Sequence, residues 1–148
     1  MTLRRIFIFA ILILTAACRN RIETGQTLSN TDISFIQSLK LLEPSEKIIQ
    51  FYSEYKKKNA GNFFTNKRMA TYWIDPYNKS KDNVSFAFYP DIKSVDTIYY
   101  AGLTYCPYLL VTKNDNTQFK VLVEGSRQEL KRFFETAIVE WRRHKKLK

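Results

Sequence analysis

Two cysteines, one histidine and a scatter of carboxylates are the side chains of this 148-residue sequence that could do chemistry. The histidine, His144, stands in the run Arg142-Arg143-His144-Lys145-Lys146. It reads as a solvated tail residue. A lone imidazole so placed removes Ser-His-Asp, Cys-His and imidazole–metal chemistry from the candidates. Carboxylates remain as the acid–base groups. Asp75, Asp82, Asp91, Asp96, Asp115 and Glu124 fall beside predicted turns or strand ends, where Asp is favoured by its bonds to local backbone. Two carboxylates flanking a scissile bond are the one hydrolytic arrangement the composition allows, yet no segment is large enough to build a deep cleft around them. Asn114-Asp115-Asn116 hints at a calcium loop but lacks the glycine and the distal glutamate. With four glycines in all and none in a phosphate-cradling loop, the chain is expected to use no cofactor and no metal. It is expected not to be an enzyme, a small carboxylate-dependent hydrolase being the alternative.

Cys106 lies in LTYCPYLL, residues 103 to 110. Cys-Pro-Tyr resembles the opening of a glutaredoxin active site, but the second cysteine of that motif would stand at 109, which is Leu. The redox motif also opens a helix, whose dipole favours thiolate, whereas Leu109-Leu110-Val111 continues as a strand. A buried structural thiol is expected, with an intermolecular disulfide as the other reading.

Cys18 has a different setting. Arg4 and Arg5 precede an apolar run from Ile6 to Ala17, 12 residues long, against roughly 20 for a membrane-crossing helix. Basic residues, a short apolar core and small residues at its end make a secretory signal. Leu14-Thr15-Ala16-Ala17-Cys18 resembles the bacterial lipobox, with Thr15 where Leu is commonest. That resemblance implies a lipoprotein: diacylglycerol on the Cys18 sulfur, cleavage before Cys18, and an acylated amino terminus. Each buried methylene contributes about 0.8 kcal/mol, so two or more chains anchor stably. The expected address is the cell membrane or, in a Gram-negative envelope, the periplasmic face of the outer membrane, because Arg19 is not the Asp that retains lipoproteins in the inner membrane. Residues 1–17 are then the signal, 18–30 a lipidated tether and 31–148 a single domain. Without Cys18, Cys106 has no intramolecular partner.

The segment before Cys18 carries two of the 24 basic residues and none of the 14 acidic ones, leaving a net charge of +8. Five of those positive charges fall between Arg142 and Lys148. Arg142 and Arg143 are therefore candidates for contact with an anionic surface. Nucleic acid is not an expected partner at this address; the membrane, through Cys18, and a partner protein are. Aromatic residues make up 15% of the chain. Tyr99 and Tyr100, as neighbours on a strand, point to opposite faces, so one of them is a candidate outward binding residue.

The elements that must position these residues read as α+β. Ile33, Phe35, Ile36, Leu39 and Leu42 recur at helical spacing from Asp32. Pro44 fits the start of a second helix carrying Ile48, Ile49, Tyr52 and Tyr55, closed by Lys56-Lys57-Lys58 and Gly61. Residues 63–75 lean to a third, ended by Pro76, with a strand over 70–74 as the alternative. Strands follow over 84–89, 95–100, 108–112 and 118–123, the last two joined by a turn at Asn114-Asp115-Asn116. Ser126 and Glu129 form a capping box for a closing amphipathic helix with Leu130, Phe133, Phe134, Ala137, Ile138 and Trp141 on one face. The expectation is N-terminal helices, a small antiparallel β-sheet and this C-terminal helix. FYSEYKKKNAGNFFTNKRMATYWID, residues 51 to 75, resembles the helical start of nuclear-transport-factor-2-like lipoproteins. A sheet followed by VEGSRQELKRFFETAI is similar to the end of pleckstrin-homology-like domains.

Overall fold

Ser29 opens helix α1 (Asn30–Ser38) by accepting the Asp32 amide while the Asp32 carboxylate accepts the Ser29 amide, which satisfies two donors that a helix start leaves bare. The computed structural model describes residues 21–100, 102 and 106–145, and so leaves Cys18 outside it. Among the described residues seven strands follow α1, in two antiparallel sheets. The first holds β1 (Ile48–Tyr52), β2 (Ala60–Thr65), β3 (Arg68–Trp73) and β4 (Asn83–Phe88) in that order, and the second β5 (Ile92–Ile98), β6 (Tyr108–Lys113) and β7 (Gln118–Leu122). Helix α2 (Arg127–Lys145) closes the chain. The fold is α+β with a closing amphipathic helix, as the sequence predicts.

Two apolar clusters explain the layering. Tyr52, Phe64, Met69, Leu109, Val111, Val121, Phe133 and Phe134 belong to a core between the sheets and under α2. Ile36, Leu41, Phe51, Phe63, Ala70 and Tyr72 belong to a second core, between the first sheet and α1. The first sheet is thus covered on both faces, and all six residues of β2 are buried. Gly61 permits this crowding: the Tyr72 ring crosses so close that a β-carbon there would clash with it.

That double burial corrects two sequence expectations. The second helix does not form, and Ile48–Tyr52 is β1. An apolar pattern at i, i+1 and i+4 is shared by a helix stripe and a strand buried on both faces; here Phe51 meets the α1 core and Tyr52 the inner one. Residues 60–73 are likewise a hairpin of β2 and β3, not a third helix, so the likeness to the helical start of nuclear-transport-factor-2-like lipoproteins fails. The closing helix matches its prediction: Ser126 and Glu129 cap it reciprocally, and Leu130, Phe133, Phe134 and Ala137 are buried.

The segment expected to be a free tether is docked from residue 22. Glu23 exchanges two 2.8 Å backbone bonds with Phe51, covering the outer edge of β1. Lys57 clamps it there, 2.7 Å from Glu23 and 3.5 Å from Asp32. Burial opposes the Lys57 charge, but bonds to those two carboxylates outweigh it and hold its pKa above the ordinary value.

A buried ion pair fixes the opposite corner. Arg68 Nε and Nη2 donate to the two Glu46 oxygens at 2.9 and 2.7 Å, both side chains being almost wholly out of solvent. The guanidinium also lies 4.2 Å from the Phe88 ring and 5.1 Å from that of Phe86. Arg68 thereby ties the loop before β1 to the aromatic face of β4.

Candidate functional site

Backbone alternation decides where this fold is unfinished. In an antiparallel ladder successive residues turn their N–H and C=O to opposite neighbours. Ile74 donates to Asn59, so Ala70 and Tyr72 bond β2, and Met69, Thr71 and Trp73 bond β4. Their β4 partners are Ala87, Ser85 and Asn83. Tyr89 donating to Lys67 keeps the same phase. Val84, Phe86 and Phe88 consequently aim their backbone groups away from the sheet. On β7, Val123 donating to Pro107 and Lys113 to Thr117 commit Phe119 and Val121 to β6. Gln118, Lys120 and Leu122 face outward.

Two adjoining pockets, meeting at Ser85, make a cleft along the β4 edge. Val84 to Phe88 form its wall, and the β6–β7 turn at Lys113, Asn114 and Asp115 closes one end around about 510 Å3. Beyond Ser85 it continues for about 330 Å3 between Asn83, Trp73 and Glu54 on one side and Gln118 to Lys120 on the other. Native sheets blunt their edges with charges, proline, bulges or covering segments. The β1 edge is covered by Glu23, and the β7 edge carries Lys120. β4 has none of these devices: its register with β3 is regular, and Val84 and Phe86 are exposed.

A polar cluster stands behind the cleft at the end where β1 stops, reaching it through Glu54 and Thr71. Asn62 Oδ1 accepts the outward Leu122 amide at 2.9 Å and the Thr71 hydroxyl, while its Nδ2 donates to Glu54 at 2.7 Å. Glu124 accepts the Tyr52 hydroxyl at 3.0 Å and the Cys106 thiol at 2.8 Å. Burial, with a smaller contribution from the Glu124 charge, raises the Glu54 pKa against its own hydrogen bonds. Burial first, then the bond to Glu124 and the nearby carboxylate charges, push the Cys106 thiol up to about 12. Among the described residues no three of His, Cys, Asp and Glu gather closely enough to hold a metal ion.

Both shifts have measurable consequences. Cys106 is expected to alkylate slowly at neutral pH, and Glu124→Gln to speed it; each pKa unit lost raises the thiolate fraction about tenfold. An unchanged iodoacetamide rate in that variant would show that Glu124 does not hold the proton. For Glu54 the folded chain binds the proton more tightly than the unfolded one. Its stabilisation is therefore fully present below the ordinary value of 4.5 and is lost as pH rises through the raised one. Glu54→Gln should gain stability relative to the parent as pH climbs to neutrality, read as urea midpoints at each pH.

The residues singled out in the sequence are dispersed. Tyr99 and Tyr100 lie just past β5 instead of within it. Tyr99 packs edge-on against Phe134 at 5.0 Å, and Tyr100 is 93% exposed. Arg142 and Arg143 are exposed on the last turns of α2, Arg143 pairing with Glu140 at 3.3 Å. They stand roughly 12 Å further along the helix than Phe134, so the two candidate groups do not converge. His144 is no solvated tail residue: α2 runs through it and its ring stacks on Tyr89 at 5.1 Å. Cys106 is half-buried, not enclosed. Asp75 and Asp115 bond local amides as turn residues should. Glu124 departs from that reading, since it anchors the polar cluster. Glu54, Asn62 and the β4 edge were not visible as a site in the sequence.

No protein-family model and no curated protein matches the sequence. Among solved structures the fold is similar to that of a DUF1696 family protein with a pleckstrin-homology domain from Shewanella loihica PV-4. The TM-score is 0.52 at 12% identity, over 83% of this chain and 98% of that one. The fold is therefore pleckstrin-homology-like, in agreement with the likeness of the sheet and closing helix.

Proposed function

We propose that the chain is a lipid-anchored protein of the bacterial cell envelope that binds a protein partner by taking an extended segment of it into the cleft beside β4. The free, uncharged β4 edge carries this reading. Val84, Phe86 and Phe88 offer donors and acceptors in strand register, and main-chain bonds of this kind supply affinity while alternate side chains supply specificity. The lipobox at Leu14–Cys18 supports the anchor. No helix of the described residues is long and apolar enough to cross a membrane.

Hydrolysis by carboxylates is the second reading, favoured by the raised pKa of Glu54 on the cleft wall. Glu124 weighs against it, because its two oxygens already accept Tyr52 and Cys106 and it does not line the cleft. Anchoring is tested by Cys18→Ala followed by cell fractionation. The variant is expected to leave the membrane fraction; membrane association equal to the parent's would remove the lipid from the account.

A further inference from the structure

Strand direction sorts the loops into two ends. β1 and β3 finish, and β2 and β4 begin, at the end marked by Tyr52; the other end holds the β2–β3 turn and the last turn of α2. The amino-terminal segment runs antiparallel to β1, so Ile22 emerges at the Tyr52 end. Three residues separate Cys18 from Ile22, so the four Cα–Cα steps between them give a contour of about 14 Å. An acylated Cys18 would hold this end, and no other, against the bilayer.

The same end carries a concentration of exposed aromatic side chains. Tyr55 is 53%, Trp73 40% and Tyr77 96% exposed, with Tyr55 and Trp73 forming a ring pair at 6.4 Å. Lys56 and Lys58 stand beside Tyr55, and Lys79 and Lys81 beside Tyr77, all exposed. Four carboxylates stand at this end as well, each bonded locally: Asp75 accepts the Tyr77 and Asn78 amides, Asp82 the Asp75 amide, Glu54 the Asn62 side chain and Glu124 the Tyr52 hydroxyl. Amphipathic rings favour the headgroup level, and lysines close to an anionic leaflet are attracted to it.

We propose that the Tyr52 end is a membrane-docking face, with Tyr55, Trp73 and Tyr77 seated among the lipid headgroups; this rests on acylation of Cys18. Arg142 and Arg143, at the far end of α2, then point away from the bilayer.

The chain's two tryptophans test it, because Trp73 is on the face and Trp141 is near the far end of α2. Full-length acylated protein is purified from membranes as Trp141→Phe and as Trp73→Phe. Each is reconstituted in vesicles of phosphatidylethanolamine and phosphatidylglycerol containing phosphatidylcholine brominated on its acyl chains. Trp73 emission is expected to fall roughly two-fold or more, as for a ring at the headgroup–acyl boundary, and Trp141 emission to stay unchanged. Adding Lys56→Glu and Lys58→Glu should restore part of the Trp73 emission. Protein that floats with the vesicles while Trp73 is unquenched, or is quenched no more than Trp141, overturns the docking face and leaves the anchor standing. Protein that does not float, with an unmodified Cys18 peptide by mass spectrometry, overturns the anchor and the docking face with it.

Discussion

Replacing Glu46 with alanine is expected to cost about 3–5 kcal/mol of unfolding free energy. The change leaves the Arg68 guanidinium buried with its bidentate partner gone, and removing one partner of a buried pair is far more costly than the pair is favourable. A domain of this size has about 5–15 kcal/mol in total, so urea unfolding should shift by a large fraction of its midpoint. Glu43→Ala is the control. Glu43 also faces Arg68, at 3.4 Å, but its side chain is 48% exposed, and solvent screens a pair of that kind so that its loss is small. Equal losses in the two variants would mean that the Arg68–Glu46 pair is not sealed. Because Arg68 also lies against Phe86 and Phe88, Glu46→Ala should loosen the β4 edge before it unfolds the domain.

Proline placed at two neighbouring positions of β4 is expected to give opposite phenotypes. At Val84 the N–H points into the cleft, so Val84→Pro should leave the fold intact, as proline is tolerated where an edge amide faces outward. It should abolish capture of the partner, since it removes a donor the incoming strand needs. At Ser85 the N–H bonds Thr71 within the sheet, and losing that buried ladder bond costs about 1–3 kcal/mol, before any strain. Ser85→Pro should therefore destabilise the domain. Circular dichroism melts read the first effect, and recovery from envelope extract by immobilised protein reads the second. Val84→Pro that binds as the parent does would move the binding surface away from this edge.

Local signals in the sequence carried the parts of the fold that depend on local chemistry. Ser126, Glu129 and the stripe from Leu130 to Trp141 define α2 because a cap and a one-sided face are written in neighbouring residues. The β6–β7 turn is equally local; Asn116 adopts φ +67°, a conformation that Asn tolerates. β1 and β2 carry a helix-like pattern because coverage by α1 on one side and α2 on the other erases the alternation that marks a strand. The cleft is less legible for a deeper reason. Which strand lies at a sheet edge is a property of topology, and Val84-Ser85-Phe86 would read the same in a central strand. Glu54 and Glu124 stand 70 positions apart in sequence, and only the packing of β7 across β2 and β3 puts one within reach of the other's charge.

With the Tyr52 end on the bilayer, β4 would run away from the membrane and its edge would open sideways, toward proteins of the same surface. Occupancy of that edge is measurable without knowing the partner. Amide deuterium exchange, resolved along residues 83–89, is compared between the purified protein and the protein in its native envelope fraction. In the purified protein Val84, Phe86 and Phe88 are predicted to exchange fast while Ser85 and Ala87 exchange slowly; in the envelope the three fast amides become protected. Fast exchange of Val84, Phe86 and Phe88 in both preparations would contradict a strand-binding edge.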